Sequence, residues 1–228
     1  MAHLEHPDFK AIAAFTVTEP TGASQPFVFN SPHSGNIYPK RFLDLSKLDA
    51  VTIRRSEDLF VDELFNDIPE IGAPLLAAMF PRAYLDLNRE PYELDPKMYT
   101  GPLPAYANVR SIRVAGGLGT VARVVAESQE IYADKIEVED ALTRVEMLYK
   151  PYHAMLRKLL AETHARHGRA YLIDCHSMPS GGDERGTRPD FVLGDRYGTS
   201  CPSALTEIIA DLLSERGYLV NRNKPYAG

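Results

Sequence analysis

The sequence predicts an α/β protein in which helices flank a mixed, mostly parallel central sheet. Short apolar runs alternate with amphipathic segments along the chain, and this alternation is typical of a sheet layered by helices. With 228 residues, of which 44% are hydrophobic, the chain is long enough to bury a substantial core. We therefore expect one domain that spans residues 1–228.

Apolar runs and helical periodicity give the order of the elements. The runs predict strands at residues 27–30, 74–79, 111–114, 170–174, 190–193 and 218–221. Amphipathic spacing predicts helices at residues 57–68, 121–167 and 202–216, with Pro151 as a break or kink in the second helix. Residues 82–104 are rich in proline, tyrosine and charge, which indicates a long functional loop.

Composition excludes several classes of partner. The formal net charge is −6 and the basic residues are scattered, so no surface for nucleic acid is expected. The chain has no apolar stretch of the ~18 residues that a membrane helix requires. Cys175 and Cys201 follow no disulfide pattern, and the polar N-terminus MAHLEHPDFK does not resemble a signal peptide. These features predict a cytoplasmic protein and leave its oligomeric state open.

One predicted strand ends in an acid, a thiol and an imidazole, within YLIDCHSMPSGG. Successive side chains of a strand point to opposite faces, so Cys175 cannot pair with His176 while the strand persists. Cys175 is expected to pack in the core, as free cysteines commonly do. Asp174 and His176 can reach the same face.

A second predicted strand, in FVFNSPHSG, also ends in a histidine followed by a serine. This pattern places His33 and His176 at the carboxyl edge of the sheet, where α/β proteins bind ligands. A catalytic zinc site commonly uses three protein ligands and leaves one position to water. Glu57 and Asp58 are candidates for the third ligand, although acids just after an N-cap such as Ser56 are also ordinary complements of the helix dipole.

The motif YLDLNREP carries polar side chains within the predicted functional loop. Arginine presents a planar fork of donors that suits a carboxylate, so Asn88 and Arg89 would make an anchor for an anionic substrate. The alternative is a surface ion pair between Arg89 and either Asp86 or Glu90.

The remaining motifs favour structural roles. AGGLGTVA has the spacing of a dinucleotide-binding loop but lacks the second strand and acid expected after it, so a tight turn is the better interpretation. His153 lies among apolar residues of a predicted helix, where it either packs between helices or supports a metal ligand from behind.

Seven motifs occur in order between residues 27 and 201: SPHSG, RRSEDLFVDELF, DLNREP, GGLGT, YKPYH, DCHSMPSGG and PDFVLGDRYGTSC. Together they resemble the N-formylglutamate amidohydrolase family, and the resemblance covers most of the chain. It implies a three-layer sandwich of the zinc carboxypeptidase and aspartoacylase type, also called phosphorylase/hydrolase-like. In that architecture one catalytic metal lies at the edge of a mixed sheet.

The resemblance implies that one zinc ion is held by His33, Asp58 and His176, with Glu57 as the alternative acid. Two imidazoles and a carboxylate would also accept other divalent ions. Asp174 would orient a metal-bound imidazole, a support that such ligands usually require. Asp174 and Glu57 are therefore the residues expected to assist catalysis beyond the ligands.

On the substrate side, Asn88 and Arg89 match the pair that grips the substrate carboxylate in the related carboxypeptidases. Ser34 and Ser177, which follow the two histidines, are expected to contribute polar contacts to the substrate. The implied reaction is metal-dependent hydrolysis of a small N-acyl amino acid, foremost N-formyl-L-glutamate to formate and L-glutamate in histidine degradation.

Two alternatives accompany this prediction. The chain could be a related N-acyl amino acid deacylase or carboxypeptidase of another specificity, or a non-catalytic protein that binds a metal or an amino acid. Family members continue with a glutamate that would act as general base, so we expect that this chain lacks a C-terminal segment.

Overall fold

The computed structural model describes residues 12–179 and 188–228, which form two compact units divided after Ser177. The prediction of one domain over residues 1–228 stays a prediction. The SGG end of the motif DCHSMPSGG lies outside the described residues.

The first unit contains both strands and helices along its described length. Its strands are β1 (Phe15–Thr18), β2 (Phe27–Ser31), β3 (Leu75–Ala78), β4 (Val124–Val125), β5 (Gln129–Glu130) and β6 (Tyr171–Asp174). Its α-helices are α1 (Lys40–Leu45), α2 (Val61–Leu64), α3 (Ile112–Ala115), α4 (Val138–Arg144) and α5 (Lys150–His167). Short 3₁₀ turns occur at Thr52–Arg54, Ile68–Ile71, Pro96–Met98 and Ala126–Ser128.

The central sheet of this unit has the strand order β1-β3-β2-β6. Strand β2 is parallel to β3 and to β6, whereas β1 pairs with β3 in the antiparallel sense. The predicted α/β class with a mixed, mostly parallel sheet is thereby confirmed. Strand β1 was not predicted, because its four residues alternate between half-buried and exposed positions over too short a length to stand out.

The register of the sheet decides where its functional edge lies. Pairing of β2 with β6 sets Asn30 opposite Asp174. Both strands run in the same direction, so the residues that follow them emerge at the same edge. Strand β3, on the other side of β2, is buried along its whole length, as expected for a central parallel strand covered on both faces.

The strand predicted at residues 111–114 is wrong, because residues Ile112–Ala115 form helix α3. The Ser111 side chain accepts a hydrogen bond of 3.0 Å from the backbone N–H of Val114, which caps the first turn. Capping by Ser111 outweighs the β propensity of the isoleucine and valine that follow it.

The helix predicted at residues 57–68 forms only over α2, residues Val61–Leu64. Phe60 adopts the left-handed conformation with φ of 62°, which prevents a helix from running through it. The N-cap role predicted for Ser56 is also wrong, since no hydrogen bond to its buried hydroxyl occurs in the described part of the chain. Phe60 and Leu64, two apolar residues of the predicted helix, are exposed.

The helix predicted at residues 121–167 begins later, at Val138, because β4 and β5 form an antiparallel pair before it. A π-helical turn, Val145–Tyr149, joins α4 to α5 immediately before Pro151. Proline has no N–H to complete the preceding α-helical turn, which places the irregularity where the sequence predicted a break or kink.

The second unit contains strand β7 (Phe191–Leu193), helix α6 (Ser203–Glu215) and strand β8 (Val220–Arg222). The two strands pair in parallel, and all three elements agree with the predicted positions. The buried carboxylate of Asp195 accepts hydrogen bonds from Asn223 at 2.7 Å, Arg222 at 2.8 Å and Thr206 at 3.0 Å. Asp195 thereby joins the loop after β7 to both other elements of this unit.

The cysteines and the apolar character of the helices concern the predicted cellular location. Both cysteines are free, Cys175 buried and Cys201 half-buried. Within residues 12–179 and 188–228, no helix combines the length and the apolar character needed to cross a bilayer. A cytoplasmic location stays a prediction.

A buried arginine at the end of α4 ties the helices of the first unit to the long loop. Arg144 is 1% exposed and donates hydrogen bonds to the carbonyl oxygen of Tyr84 at 3.0 Å and to the hydroxyl of Tyr132 at 2.8 Å. Its guanidinium also lies 4.0 Å from the centre of the Tyr84 ring and pairs with Asp140. Arg144 therefore positions the start of the segment that carries Asp86.

We expect Arg144→Met to lower the free energy of unfolding by about 3–5 kcal/mol, because the largely buried charge of Asp140 would lose its short contact and keep only the longer pair with Arg41 at 3.7 Å. Urea unfolding followed by circular dichroism measures this loss. Lys40→Met, which breaks the exposed pair of Lys40 with Asp44, serves as the control and should cost under about 1 kcal/mol. Equal losses in the two variants would contradict the assignment.

Candidate metal centre

Two histidines meet at the carboxyl edge of the central sheet. His33 follows β2 by two residues, and His176 follows β6 by two residues. Their ring centroids lie 4.9 Å apart with an interplanar angle of 44°. His33 is almost fully buried, with 1% of its surface exposed, whereas the side chain of His176 is 32% exposed. The site is thus anchored in the protein interior and open on one side.

Asp58 completes a group of three. Its backbone N–H donates a 3.1 Å hydrogen bond to the carbonyl oxygen of His33, which fixes the loop before α2 against the end of β2. Its Oδ2 atom lies 2.8 Å from Nδ1 of His176 and 3.5 Å from Nδ1 of His33. One ligand atom from each of the three residues lies within 4.8 Å of the others.

The residues present fit a divalent metal ion. Nδ1 of His33 is buried and has no hydrogen-bond partner among the described residues, although buried polar atoms are normally paired. An ion between the three side chains would satisfy this atom. Two imidazoles and one carboxylate are a donor set that zinc accepts, and three protein ligands leave a coordination position for water or substrate.

Each imidazole has its other nitrogen directed at a carboxylate. Nε2 of His33 lies 2.8 Å from Oδ1 of Asp86, and Nε2 of His176 lies 3.0 Å from Oδ2 of Asp174. Such contacts fix the orientation and the tautomer of a metal-binding imidazole and leave Nδ1 available to the metal. The two histidines therefore have the same arrangement: Nε2 of each contacts a carboxylate, and Nδ1 of each is on the side of the candidate metal centre.

The surroundings of Asp174 are ordered by amide groups. Its Oδ1 accepts a 2.6 Å hydrogen bond from Asn30, the residue opposite it in the sheet register. Its Oδ2 accepts a 3.1 Å hydrogen bond from Asn88, whose amide also lies 2.9 Å from Nε2 of His176. The hydroxyl of Tyr152 in turn donates to Asn30. Both oxygens of Asp174 are engaged, which suits a carboxylate that orients rather than reacts.

Burial and charge oppose each other at this centre. Burial disfavours the charged form of Asp58, but hydrogen bonds and charge from His176 and His33 keep its pKa well below the usual range. The same balance, with further help from Arg82, depresses the pKa of Asp86. Burial likewise opposes protonation of His176, yet its carboxylate neighbours raise its pKa to about 9. Without a metal, His176 is therefore protonated near neutral pH, and its charge partly balances the carboxylates around it.

Asn88 and Arg89 lie beside this centre on a loop without regular structure. The guanidinium of Arg89 donates from Nε to the carbonyl oxygen of Leu118 at 2.9 Å and from Nη1 to that of Asn88 at 2.7 Å. Its Nη2 lies 3.5 Å from Oδ2 of Asp86. The sequence left open whether Arg89 pairs with a neighbouring acid or binds a substrate, and the structure places the pairing with Asp86 inside the site itself.

The comparisons with known proteins agree on one family. The family model for N-formylglutamate amidohydrolase matches residues 25–228 of the chain. The chain belongs to this family. The family resemblance of the ordered motifs is confirmed.

Relatives within the family extend beyond the aligned chain. The N-formylglutamate deformylase of Pseudomonas putida is 27% identical over 197 residues, covering 83% of this chain and 66% of the relative. The protein of the same name from Pseudomonas aeruginosa is 27% identical over 184 residues, covering 79% of this chain and 63% of the relative. The chain thus spans just under two thirds of the length of these relatives.

Solved structures agree in fold. The crystal structure of N-formylglutamate amidohydrolase from Ralstonia eutropha JMP134 is 37% identical, with a TM-score of 0.87, and the match covers 94% of this chain and 78% of that one. A gene product of Agrobacterium tumefaciens is 17% identical with a TM-score of 0.65, covering 93% of this chain and 73% of that chain. The second likeness concerns the fold alone.

In this member of the N-formylglutamate amidohydrolase family, Glu57 lies apart from the three candidate ligands. Its carboxylate accepts a hydrogen bond from the hydroxyl of Tyr38 and pairs with Arg54 at 3.1 Å. The reason is local. The backbone turns after Arg54, so the adjacent side chains of Glu57 and Asp58 point in different directions, Glu57 towards Arg54 and Asp58 towards His176. Of the two candidate acids, the structure groups Asp58 with the histidines.

The two serines differ in their contacts. Ser34 is buried, and its hydroxyl lies 2.8 Å from that of Ser31, within the turn after β2. Ser177 is exposed and donates a 3.3 Å hydrogen bond to Oδ1 of Asp58. Ser177 is thus in direct contact with a candidate ligand, whereas Ser34 supports the turn that carries His33. The substrate contacts predicted for both serines stay predictions.

Cys175 packs as the strand geometry predicted. It is 4% exposed, and burial first, then the charge of Asp174, raises the pKa of its thiol to about 12. A thiol with so high a pKa stays protonated near neutral pH and is a poor nucleophile.

Asp86 is the residue of the centre that sequence reasoning missed. It was considered only as an ion-pair partner of Arg89, because an acid close to an arginine has a simple surface explanation. One signal was available: in YLDLN, Asp86 and Asn88 alternate with leucines, which places both polar side chains on one face. The structure shows that face directed at His33 and His176.

We expect Asp86→Asn to weaken zinc binding by about 10- to 100-fold while the fold is retained, because the isosteric amide cannot support His33 with a full negative charge. Competition against a chromophoric chelator measures the affinity, and circular dichroism checks the fold. Asp44→Asn, which alters an exposed carboxylate in the same unit, is the control and should leave the affinity unchanged. An unchanged affinity in Asp86→Asn would show that Asp86 does not support the ligand.

Zinc binding should release a proton. The pKa of about 9 for metal-free His176 means that the residue is protonated at neutral pH, and a metal must displace that proton. The affinity should therefore fall about tenfold per unit as the pH drops below 9. Calorimetry at pH 7 in buffers of different ionisation enthalpy should report roughly one proton released per ion.

The NMR titration of the metal-free protein is the control for this expectation. The imidazole signals of His176 should titrate near pH 9 in the absence of metal. Zinc binding without proton release at pH 7 would contradict the charge balance described above.

Proposed function

We propose that His33, Asp58 and His176 bind one zinc ion and that the protein hydrolyses the amide bond of an N-acylated acidic amino acid, foremost N-formyl-L-glutamate. The convergence of the three ligand atoms on one point carries this proposal. The names of the relatives support the substrate class, since two are N-formylglutamate deformylases. The products would be formate and L-glutamate.

The side chains of this centre have separable tasks in such a reaction. A bound divalent ion would polarise the acyl carbonyl group and lower the pKa of a water molecule. Asp86 and Asp174 hold the two imidazoles so that each Nδ1 faces the ion. We infer that these carboxylate contacts preorient the proposed ligands, which would limit reorganisation during the reaction.

Arg89 is proposed to bind the carboxylate of the substrate. The guanidinium of Arg89 lies beside Asp86 at the edge of the centre. Its side chain is 13% exposed, so the carboxylate of a substrate bound in the centre can reach it. Two of its N–H groups are held by backbone carbonyls, which fixes the plane of the fork. Nη2 faces Asp86 at 3.5 Å, a separation that leaves this group able to serve a second acceptor.

The proton of the attacking water has to reach the leaving amine through a general base. The contacts of Asp174 and Glu57 favour other tasks for these two residues. Asp174 has both oxygens engaged by Asn30, Asn88 and His176, and Glu57 is bound by Tyr38 and Arg54. We therefore propose an orienting role for Asp174 and a structural role for Glu57.

Formate release tests the activity directly. Zinc-loaded protein should release formate from N-formyl-L-glutamate faster than from N-formyl-leucine and faster than it cleaves N-acetyl- or N-succinyl-glutamate. A chelator should abolish the rate and added zinc should restore it. His33→Ala and His176→Ala should lose both metal and activity, whereas His164→Ala at an exposed position should keep both.

The result of this assay distinguishes the proposed hydrolase from the two alternatives, a related deacylase or carboxypeptidase and a non-catalytic binding protein. Preference for another acyl group would identify a related deacylase. Stoichiometric zinc binding without turnover of any substrate in the panel would indicate a binding protein. Absence of zinc binding in the unaltered protein would overturn the proposal as a whole.

We expect Arg89→Ala to raise KM for N-formyl-L-glutamate by about 10- to 100-fold, the equivalent of one hydrogen bond to a charged group. Zinc affinity should stay unchanged, since Arg89 contacts no ligand of the group of three. Arg110→Ala, at an exposed position of the following loop, is the matched control and should leave KM unchanged. A variant Arg89→Ala with normal KM would rule out the anchor.

A further inference from the structure

Two side chains of one helix hold the backbone of the loop that carries Asn88 and Arg89. The hydroxyl of Tyr149 donates a 2.6 Å hydrogen bond to the carbonyl oxygen of Arg89. Nε2 of His153 lies 3.0 Å from the carbonyl oxygen of Leu87. The two contacts flank Asn88 on either side, so they fix the peptide from which both functional side chains extend.

The two holding residues also support each other. Tyr149 ends the π-helical turn, and His153 lies one turn further along α5, with the two ring centroids 4.2 Å apart. A π-helical turn in an otherwise α-helical segment often accompanies a functional site. Because Leu87 offers a carbonyl oxygen, Nε2 of His153 has to carry the proton and act as donor.

The protonation of both groups suits this task. Burial, followed by the charges of nearby acids, raises the pKa of Tyr149 to about 12, so its hydroxyl keeps its proton. Burial lowers the pKa of His153, which favours the neutral ring with a single N–H. Each residue therefore offers one donor to one carbonyl oxygen near neutral pH.

We propose that Tyr149 and His153 are positioning residues that set the Asn88–Arg89 peptide, and with it the substrate anchor, relative to the metal centre. The proposal rests on the proposed function of Arg89. Asn88 adds a second connection, because its amide contacts both His176 and Asp174. Displacement of the held peptide would thus move the anchor and disturb the support of a ligand together.

The physical need for such residues follows from the loop itself. Asn88 and Arg89 lie outside every helix and strand of the described chain, so no ladder of backbone hydrogen bonds holds them. Asn88 is exposed, and its side chain is held by hydrogen bonds to Asp174 and His176. The backbone N–H of Asn88 donates a 2.9 Å hydrogen bond to Oδ1 of Asp86. Contacts to the carbonyl oxygens on both sides of Asn88 add a direct connection from the π-helical turn and α5 to this peptide.

The test begins with Tyr149→Phe, which removes the hydroxyl and keeps the ring against His153. We expect KM for N-formyl-L-glutamate to rise roughly fivefold, the equivalent of one ordinary hydrogen bond, with kcat within about twofold. His153→Leu should act similarly, and His153→Gln, whose amide restores a donor, should recover most of the loss. Tyr106→Phe, at an exposed tyrosine, is the control.

A double-variant cycle with Arg89→Ala separates positioning from general stability. If Tyr149 acts through Arg89, then Tyr149→Phe has no further effect on KM in the Arg89→Ala background. A fully multiplicative effect in the double variant would overturn the proposal. An unchanged KM in Tyr149→Phe, combined with a raised KM in Arg89→Ala, would overturn it as well.

Amide hydrogen exchange tests the positioning role of Tyr149 independently of the proposed function. The peptide that contains Asn88 and Arg89 should exchange faster in Tyr149→Phe than in the unaltered protein, whether or not the protein turns over this substrate. Equal exchange rates would overturn the positioning role. Normal KM in Arg89→Ala together with faster exchange in Tyr149→Phe would refute the anchor while supporting the hold on the loop.

Discussion

The parallel register of β2 and β6 is the constraint on which the centre depends. It sets Asn30 opposite Asp174, so that one side-chain hydrogen bond joins the two strands at their ends. Both strands deliver a histidine two residues later, and the shared direction of the strands brings the imidazoles together. A slip of one residue would turn Asp174 and His176 to the opposite face and would bring Cys175 to the face of the metal centre in their place.

Charge explains why the centre is suited to a cation. Asp58, Asp86 and Asp174 surround two imidazoles, and the first two of these carboxylates are buried. Buried carboxylates are stable only when they are paired or hydrogen-bonded. Arg82 supplies part of the compensation, at 2.8 Å from Asp86, and the proton on His176 supplies another part. A divalent ion would replace that proton and would also satisfy Nδ1 of His33, which has no hydrogen-bond partner among the described residues.

The sequence predicted the parts of this site that follow regular structure. Periodicity located the strands that end before His33 and His176, and alternation assigned Cys175 to the core. Asp86 could not be assigned in the same way, because its partner His33 lies 53 positions away in the chain and contact at that distance depends on tertiary structure. The helix predicted over residues 57–68 was wrong for a related reason. The left-handed conformation of Phe60 belongs to the turn around Asp58, which the spacing of apolar residues does not reveal.

Helix α5 and its π-helical turn explain how a site made of strand ends and loops can be rigid. The hydroxyl of Tyr152 reaches Asn30, which holds Asp174, which in turn holds His176. From the same helix, Tyr149 and His153 reach the peptide that carries Asn88 and Arg89. The proposed metal ligand His176 and the proposed substrate anchor are therefore both held by contacts from one helical segment. Since catalytic groups must keep their geometry to within a fraction of an ångström, a common support serves better than two independent ones.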